Sequence, residues 1–290
     1  MICHVLQAIF RSNLRLRSQM YTPPRLPRTQ HLRGSKAATG ECARDQVSVM
    51  NLEGGELVFE EKLDGGEVGI YQDDGNLLLR HRGTVLGGHS REPQFDLLKV
   101  WAAIHDGWLR DLVRDRYVLY CEWLHRVHCA FYDQLPHFLF EFDVFDRETG
   151  RYLATDERHA LLDGAPMPSV PVVHRGHLKA DAEVQGLVQP SLFKSDHWQR
   201  SLAEQCVAAG VAAADASTWI DMTSLPEGLY VKHEIDGCVV GRYKWIRADF
   251  LATITSGEHW SQRPALENGL APGIDILAAP HSDAGLRGKP

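Results

Sequence analysis

The sequence predicts an α+β fold built on antiparallel sheets, and three observations predict it. Phe138, Phe140, Phe142 and Val144 alternate with Leu139, Glu141, Asp143 and Phe145, a period of two that marks a strand with its carboxylates on one side. Leu229 to Ile235 and Cys238 to Ile246 flank Asp236-Gly237, the clearest hairpin signal in the chain. Phe95, Leu98, Trp101, His105, Trp108 and Leu112 recur at three and four residues, which predicts an amphipathic helix over 95–114. Strands and helices alternate without a regular βαβ rhythm, so the sheets are expected to be antiparallel rather than parallel.

The remaining elements follow in chain order. Residues 1–40 hold no Asp or Glu but carry Arg11, Arg15, Arg17, Arg25, Arg28, Arg33 and Lys36. Such a stretch suits a transit peptide, a nucleic-acid-contacting arm, or an upstream extension, with Met20 as the true start and 1–19 outside the protein proper. The last of these is preferred, and the segment is expected to be flexible. A strand-like run, Gly55 to Glu60, leads directly into Glu61-Lys62-Leu63-Asp64-Gly65. Residues 117–124 form a strand, Asp146 to Gly150 a turn, and 196–211 a helix with Trp198, Leu202, Cys206 and Val207 toward a core. The tail from 262 is rich in Pro, Gly and Ala, and its last ten residues are expected to be disordered. This divides the chain into a basic segment, 1–40, a catalytic domain, 41–250, and a short extension, 251–290.

Composition narrows the function classes. With 290 residues and 44% hydrophobic content the chain can bury one large core. A net charge of −7 means that a nucleic-acid partner needs a local basic surface, which disfavours a pure binding module. Six cysteines, Cys3, Cys42, Cys121, Cys129, Cys206 and Cys238, lie far apart with no paired framework, which points to a reducing compartment. No apolar run reaches the length of a membrane span. The expectation is a soluble, cytoplasmic protein with no membrane partner.

Lys62 is the residue that suggests chemistry. It lies between a strand end and an Asp-Gly turn, where a lysine is held at the mouth of a cleft with a carboxylate two residues on. The hairpin offers a geometric test: a two-residue Asp236-Gly237 loop makes opposed residue numbers sum to 473, so Leu229 faces Lys244 and Val231 faces Arg242. Glu227, two residues before Leu229, then lies diagonal to Lys244 at roughly 7–8 Å. If the strand extends to Glu227, one sheet face would present Glu227, Arg242 and Lys244, a triplet suited to a metal-bound triphosphate or, equally, to a solvated edge with a cross-strand ion pair.

Six blocks in order carry a resemblance: Glu61-Lys62-Leu63-Asp64-Gly65, Arg80-His81-Arg82-Gly83, Tyr120-Cys121-Glu122-Trp123-Leu124, Phe140-Glu141-Phe142-Asp143-Val144, Glu227-Gly228-Leu229-Tyr230-Val231-Lys232 and Arg242-Tyr243-Lys244-Trp245-Ile246-Arg247. The chain resembles the ATP-dependent RNA ligases of the phage and kinetoplastid-editing type, within the covalent lysine nucleotidyltransferases. The resemblance covers about 21–280 and is dense from 55 to 250. It implies a nucleotidyltransferase domain of antiparallel sheets around a nucleotide cleft, with ATP and Mg2+ (or Mn2+) as cofactors. Lys62 would be the nucleophile that takes AMP, with Asp64 orienting it and a metal-bound water. Glu61 would belong to the nucleotide site, Arg82 would contact the ribose or a 5′-phosphate, and Glu122 the ribose or hydrated metal. Phe142 would stack on adenine, unless it joins the Phe138/Phe140 core face. Glu227, Lys244 and Arg242 would act at the metal and α-phosphate. Asp64, Glu122 and Glu227 would be the metal carboxylates, while Glu67 is a weaker contact and Arg80 competes with Arg82 as the exposed cation.

The implied reaction joins a 5′-phosphate to a 3′-hydroxyl of RNA, as single-stranded ends or a nicked duplex. A DNA ligase or guanylyltransferase using the same lysine, and a non-catalytic nucleic-acid binder, are the alternatives. Two departures stand out. The final motif is Arg242-Tyr243-Lys244 rather than Lys-x-Lys, and only about 40 residues follow Arg247, too few for an OB-fold. Arg25, Arg28, Arg33 or an accessory protein would then help to engage RNA. Cys121, His125, His128 and Cys129 carry ligand-type side chains but not the two separated pairs usual for zinc.

Overall fold

The computed structural model describes residues 21–27, 29–36, 45–87, 93–255 and 263–278. Readings of residues 1–20, Arg28, Cys42 and the last ten residues lie outside them. Two sheets face each other. The first has the order β1-β11-β10-β2-β9, with β1 (Gln30–His31), β2 (Glu56–Lys62), β9 (Val172–Arg175), β10 (Gly228–Ile235) and β11 (Cys238–Ile246). The second runs β5-β4-β3-β6-β7-β8, with β3 (Gly66–Asp73), β4 (Asn76–His81), β5 (Thr84–Val85), β6 (Tyr117–Trp123), β7 (Leu139–Asp146) and β8 (Arg151–Tyr152). All pairings are antiparallel except β1 with β11. The α+β expectation with antiparallel sheets holds.

The helical stripe over 95–114 forms two helices, α1 (Asp96–Ile104) and α2 (Asp106–Val113), separated at His105. Gly107 in the first turn of α2 weakens a continuous helix at that point. Phe95, Leu98, Trp101, Leu109 and Val113 still share one buried face, which covers the outer side of the second sheet. Farther on come α3 (Thr155–Leu161), α4 (Glu183–Gly186), α5 (Trp198–Ala208), α6 (Ala213–Ala216) and α7 (Ala248–Thr255). On α5, Trp198, Leu202 and Cys206 are buried, but Val207 is 80% exposed, because the buried stripe runs strictly at intervals of four. The outer face of the first sheet buries Leu57, Phe59, Leu229, Val231 and Trp245.

Two bulges correct the sequence-derived register. The Asp236-Gly237 turn has positive φ at both residues, +49° and +73°, as a type I′ hairpin requires. Next to it the pairing follows the predicted sum, Ile235 with Cys238 and Glu234 with Val239. Beyond, the register shifts by one, so Tyr230 faces Lys244 and Lys232 faces Arg242. The extra residue, Val240, is 58% exposed. A second bulge lies between β6 and β7, where Tyr120 opposes Asp143 but Cys121 opposes Glu141, leaving Phe142 as the extra residue. A bulge re-aims its side chain. Phe142 thereby leaves the Phe138/Phe140 core alternation and turns to the space between the sheets.

The described part of the basic segment is a strap rather than a free arm. Arg80 donates to the carbonyls of Pro23 (3.2 Å) and Pro24 (3.0 Å), and the Tyr120 hydroxyl also donates to Pro24 (2.5 Å). The Arg147 guanidinium stacks 3.7 Å from the Tyr21 ring centre. Leu32 is fully buried, and β1 adds an edge to β11. Among the described residues no helix is long and apolar enough to cross a membrane.

Candidate active site

Lys62 is the last residue of β2, and Gly228 opposes it on β10. A side chain at Gly228 would place its Cβ 1.9 Å from the Trp245 carbonyl, so this position stays bare and leaves room beside the lysine. The Lys62 Nζ donates to Glu227 Oε2 at 2.6 Å, with side-chain exposures of 26% and 10%. Burial alone would lower the amine's pKa, but Glu227, Glu122 and Asp64 outweigh it and the net shift is upward. The surrounding carboxyl groups therefore favour the ammonium form of Lys62.

The chain after Lys62 shows why an Asp-Gly follows. One Asp64 oxygen accepts from the backbone N–H groups of Cys129 (2.7 Å) and Ala130 (2.8 Å), which fixes the turn against the loop after β6. Gly65 approaches β6 so closely that a Cβ would lie 2.5 Å from the Trp123 carbonyl, and its N–H donates to Glu122 Oε1 at 3.0 Å. Burial, with Asp64 and Glu227 adding repulsion against the pull of Lys62, pushes Glu122 up to about 8. Glu227 is also raised, chiefly by burial, and Lys62 and Lys244 oppose the shift. Three carboxyl groups thus crowd around one ammonium, and their mutual repulsion and burial favour the protonated form of Glu122.

A pocket of about 100 Å³ opens beside Lys62, lined by Glu60, Glu61, Lys62, Leu63, Glu122, Phe142, Val170 and Tyr230. Both sheets contribute to it. Phe142 and Tyr230 meet edge to face with ring centres 6.0 Å apart. Glu61 is buried at the pocket wall, where it accepts from the Ser191 hydroxyl; burial raises its pKa.

The register shift alters how the final motif is used. Lys244 shares the cleft face with Tyr230 and Lys62, and it lies near enough to Glu227 to lower its pKa. Glu227 precedes β10, so the strand alternation that was expected to orient it does not apply. Arg242 lies farther along the same face, buried, with Nε and Nη2 bound to the two oxygens of Asp143 at 2.8 and 3.0 Å and its guanidinium over Tyr152. The expected triplet of Glu227, Arg242 and Lys244 is corrected to a pair plus an anchored arginine. Arg82 is exposed in a positive-φ turn with Gly83, whereas Arg80 is 2% exposed and committed to the strap and Glu67. Arg80 is thus not the exposed cation.

Sequence reasoning missed the floor beneath the pocket. Glu60, Glu141, Arg158 and Lys232 are fully buried: Arg158 bridges Glu60 (2.6 Å) and Glu141 (2.8 Å), and Lys232 binds Glu60 (2.7 Å) and the Phe142 carbonyl. Lys232 stood within a quoted motif, yet nothing in the sequence marked Arg158 as sharing Glu60 with it, or Ser191 as the partner of Glu61. Cys121 is in the core, Cys129 Sγ faces Arg263 at 3.7 Å, and His125 faces Glu267 at 3.5 Å. Among the described residues no three His, Cys, Asp or Glu side chains converge as a metal set.

The RNA ligase family model matches residues 55–246, two-thirds of the chain. The chain belongs to the RNA ligase family. No curated protein matches it. Among solved structures, it is similar to Naegleria gruberi RNA ligase with PPi, at 20% identity and TM-score 0.47, over 80% of this chain and 63% of that one. A variant of the Naegleria gruberi enzyme with ATP and Mn gives 19%, 0.48, 82% and 64%. An archaeal ATP-dependent RNA ligase gives 17%, 0.47, 80% and 52%. This RNA ligase family member therefore spans between half and two-thirds of the length of those chains.

Proposed function

We propose that this chain is an ATP-dependent RNA ligase that works through a lysyl-AMP on Lys62, with residues 41–250 as its catalytic domain. The observation that carries the reading is the Lys62 amine at the mouth of an aromatic-walled pocket, 2.6 Å from Glu227 and ringed by Glu122 and Asp64. The oxygen-only donor set fits a hard divalent cation such as Mg2+ or Mn2+, whose charge would favour the ionised carboxylates. Such an ion keeps several waters and needs one or two carboxylates, so a three-ligand cluster is not required. One or two of Glu227, Glu122 and Asp64 would hold it, with waters completing its shell, and it would supply charge neutralisation at the α-phosphate.

The chain's own residues do the rest. Lys62 must first lose a proton, and Glu227 is the acceptor in hydrogen-bond reach, made more basic by burial. The free amine attacks the α-phosphorus of ATP, a P–N bond forms, and the P–O bond to pyrophosphate breaks. Lys244, on the same face, stabilises the charge that develops on the α-phosphate oxygens. A 5′-phosphate oxygen of RNA then displaces Lys62 from AMP. Finally a 3′-hydroxyl attacks the 5′-phosphorus, AMP leaves, and the strand is sealed. Arg242, tied to Asp143, positions the floor of the site.

Incubation with labelled ATP, GTP or NAD, followed by denaturing electrophoresis, tests the first step. Label from ATP that requires a divalent cation and vanishes in Lys62→Ala is expected; label that persists in Lys62→Ala would refute the assignment. Joining of 5′-phosphorylated RNA, compared with DNA of the same sequence, tests the rest.

A further inference from the structure

We propose that Arg247 is a positioning residue for Glu227: it grips the backbone on both sides of that residue and so sets where the carboxylate meets the Lys62 amine. The inference deepens the lysyl-AMP reading above and rests on it. Glu227 stands before β10 begins, so strand alternation does not orient it, yet its Oε2 lies 2.6 Å from Lys62 Nζ. Another contact must aim it. Arg247 directly follows β11, whose last residue, Ile246, opposes Gly228. Its backbone N–H donates to the Glu227 carbonyl at 3.2 Å, and its Nε donates to the Pro226 carbonyl at 2.6 Å. These carbonyls belong to the two peptide planes that meet at the Glu227 Cα. With both planes held, and with the Pro226 ring fixing its own φ, one arginine sets the direction in which the Glu227 side chain leaves the backbone.

The arginine is itself anchored. Its Nη2 donates to Asp221 Oδ2 at 2.5 Å, with the two side chains only 5% and 4% exposed, and its Nη1 donates to Asp249 Oδ2 at 2.6 Å. The Thr223 hydroxyl donates to the same Asp221 oxygen at 2.9 Å. The Asp221 N–H donates to the Cys129 carbonyl at 2.7 Å, and the Cys129 N–H donates to Asp64 at 2.7 Å. Arg247 and Asp221 thus join Glu227, at the end of the first sheet, to the loop after β6 of the second, where Asp64 is tied. Both carboxyl groups hang from one hydrogen-bonded frame that spans the cleft. An ammonium cannot copy this grip, because it is a point charge on a flexible stem, whereas the planar guanidinium holds donors in fixed directions.

Misplacing a reacting group by about 1 Å costs about 100-fold in rate. Arg247→Lys is therefore expected to lower kcat for lysine adenylation about 100-fold, with the KM for ATP within a few-fold, because the residues that line the pocket beside Lys62 are intact. A double-mutant cycle separates aiming from general support. In a Glu227→Ala background no carboxylate remains to be aimed, so Arg247→Lys should leave the residual kcat nearly unchanged. Arg247→Met combined with Asp221→Asn removes both buried charges together and takes the place of the lysine variant if that variant does not fold, with circular dichroism and thermal unfolding as checks. An unchanged kcat in the folded variant would overturn the inference, as would an equal loss with and without the Glu227 side chain. A wild-type protein that forms no adenylate would instead refute the proposed function. Crystal structures of the wild type and the folded variant then decide the role of Arg247. A Glu227 carboxylate moved away from Lys62 Nζ in the variant supports it, and one still within hydrogen-bond reach overturns it.

Discussion

Replacing Arg158 by Met tests the floor of the cleft. Glu60, Glu141, Arg158 and Lys232 form a quartet of two negative and two positive charges, all fully buried, and the adjoining Asp143–Arg242 pair is also neutral. Arg158 makes three charge-assisted bonds, two to Glu141 and one to Glu60. Its removal leaves one uncompensated negative charge in the interior, a change that costs about 3–5 kcal/mol. In a domain of this size each kcal/mol moves Tm by about 2–4 °C, so Tm should fall by about 6–20 °C. Scanning calorimetry or thermal unfolding at neutral pH measures the shift. Arg158→Met combined with Glu141→Gln restores the charge balance and should recover part of the loss, a coupling that a double-mutant cycle reads directly. A Tm within 2 °C of wild type for the single variant, or strictly additive losses in the cycle, would show that the quartet does not act as a unit.

Other outcomes follow from single contacts. Asp64→Asn keeps an oxygen for the Cys129 and Ala130 amides and should fold normally while adenylation drops; Asp64→Ala also loses those bonds and should cost about 2 kcal/mol in denaturant unfolding. Gly228→Ala should destabilise strongly, because its Cβ would meet the Trp245 carbonyl, and low soluble yield with a reduced Tm would register it. His105 and His137 are buried against Trp101, and the Nε2 of His137 has no hydrogen-bond partner. Burial holds His137 down to about 4 and also lowers His105. Both bases bind protons more readily when unfolded, near the ordinary value of about 6.5. Their share of stability is thus complete above that pH and lost as pH falls toward 4. A urea midpoint that drops between pH 7 and 5, and drops less in His137→Phe, is expected; identical pH profiles would contradict it. Sealing needs a polyanion to dock on a protein of charge −7, so added salt should suppress sealing faster than adenylation in parallel titrations.

The basic composition of residues 1–40 suggests a flexible, RNA-engaging segment, but its described part is a folded strap: deleting residues 1–34 removes β1 and the carbonyl partners of Arg80, so lysine adenylation and sealing should fail together. Composition made this segment basic, but it is anchored by its own carbonyls and the Tyr21 ring to Arg80, Tyr120 and Arg147, far along the chain, which no local pattern reveals. The strands, the type I′ turn and the burial of α1 and α2 were legible because periodicity and turn chemistry are local. Lys62, Glu122, Glu227 and Lys244 were brought together as the motifs suggested. The two bulges were not legible. Each is one extra residue in an otherwise regular alternation, Val240 or Phe142, and it leaves no mark in composition while moving every side chain beyond it to a different partner. That is why Arg242 met Asp143 instead of joining Glu227, and why Tyr230, not Leu229, faces Lys244.

The placement of β1 on β11 has a consequence for how the molecule is made. Gln30 pairs with Tyr243 and Lys62 meets Glu227 across 165 residues of chain, so the central sheet closes its ends only when the last strand is present. Such long-range pairing slows folding, since loop closure must precede the contacts that reward it. During synthesis β1 and Lys62 leave the ribosome early, and their partners on β11 and at Glu227 follow only when residues 227–246 have emerged. A nascent chain shorter than that has a lysine but no site, and nucleotide binding should appear only in the final stage of assembly.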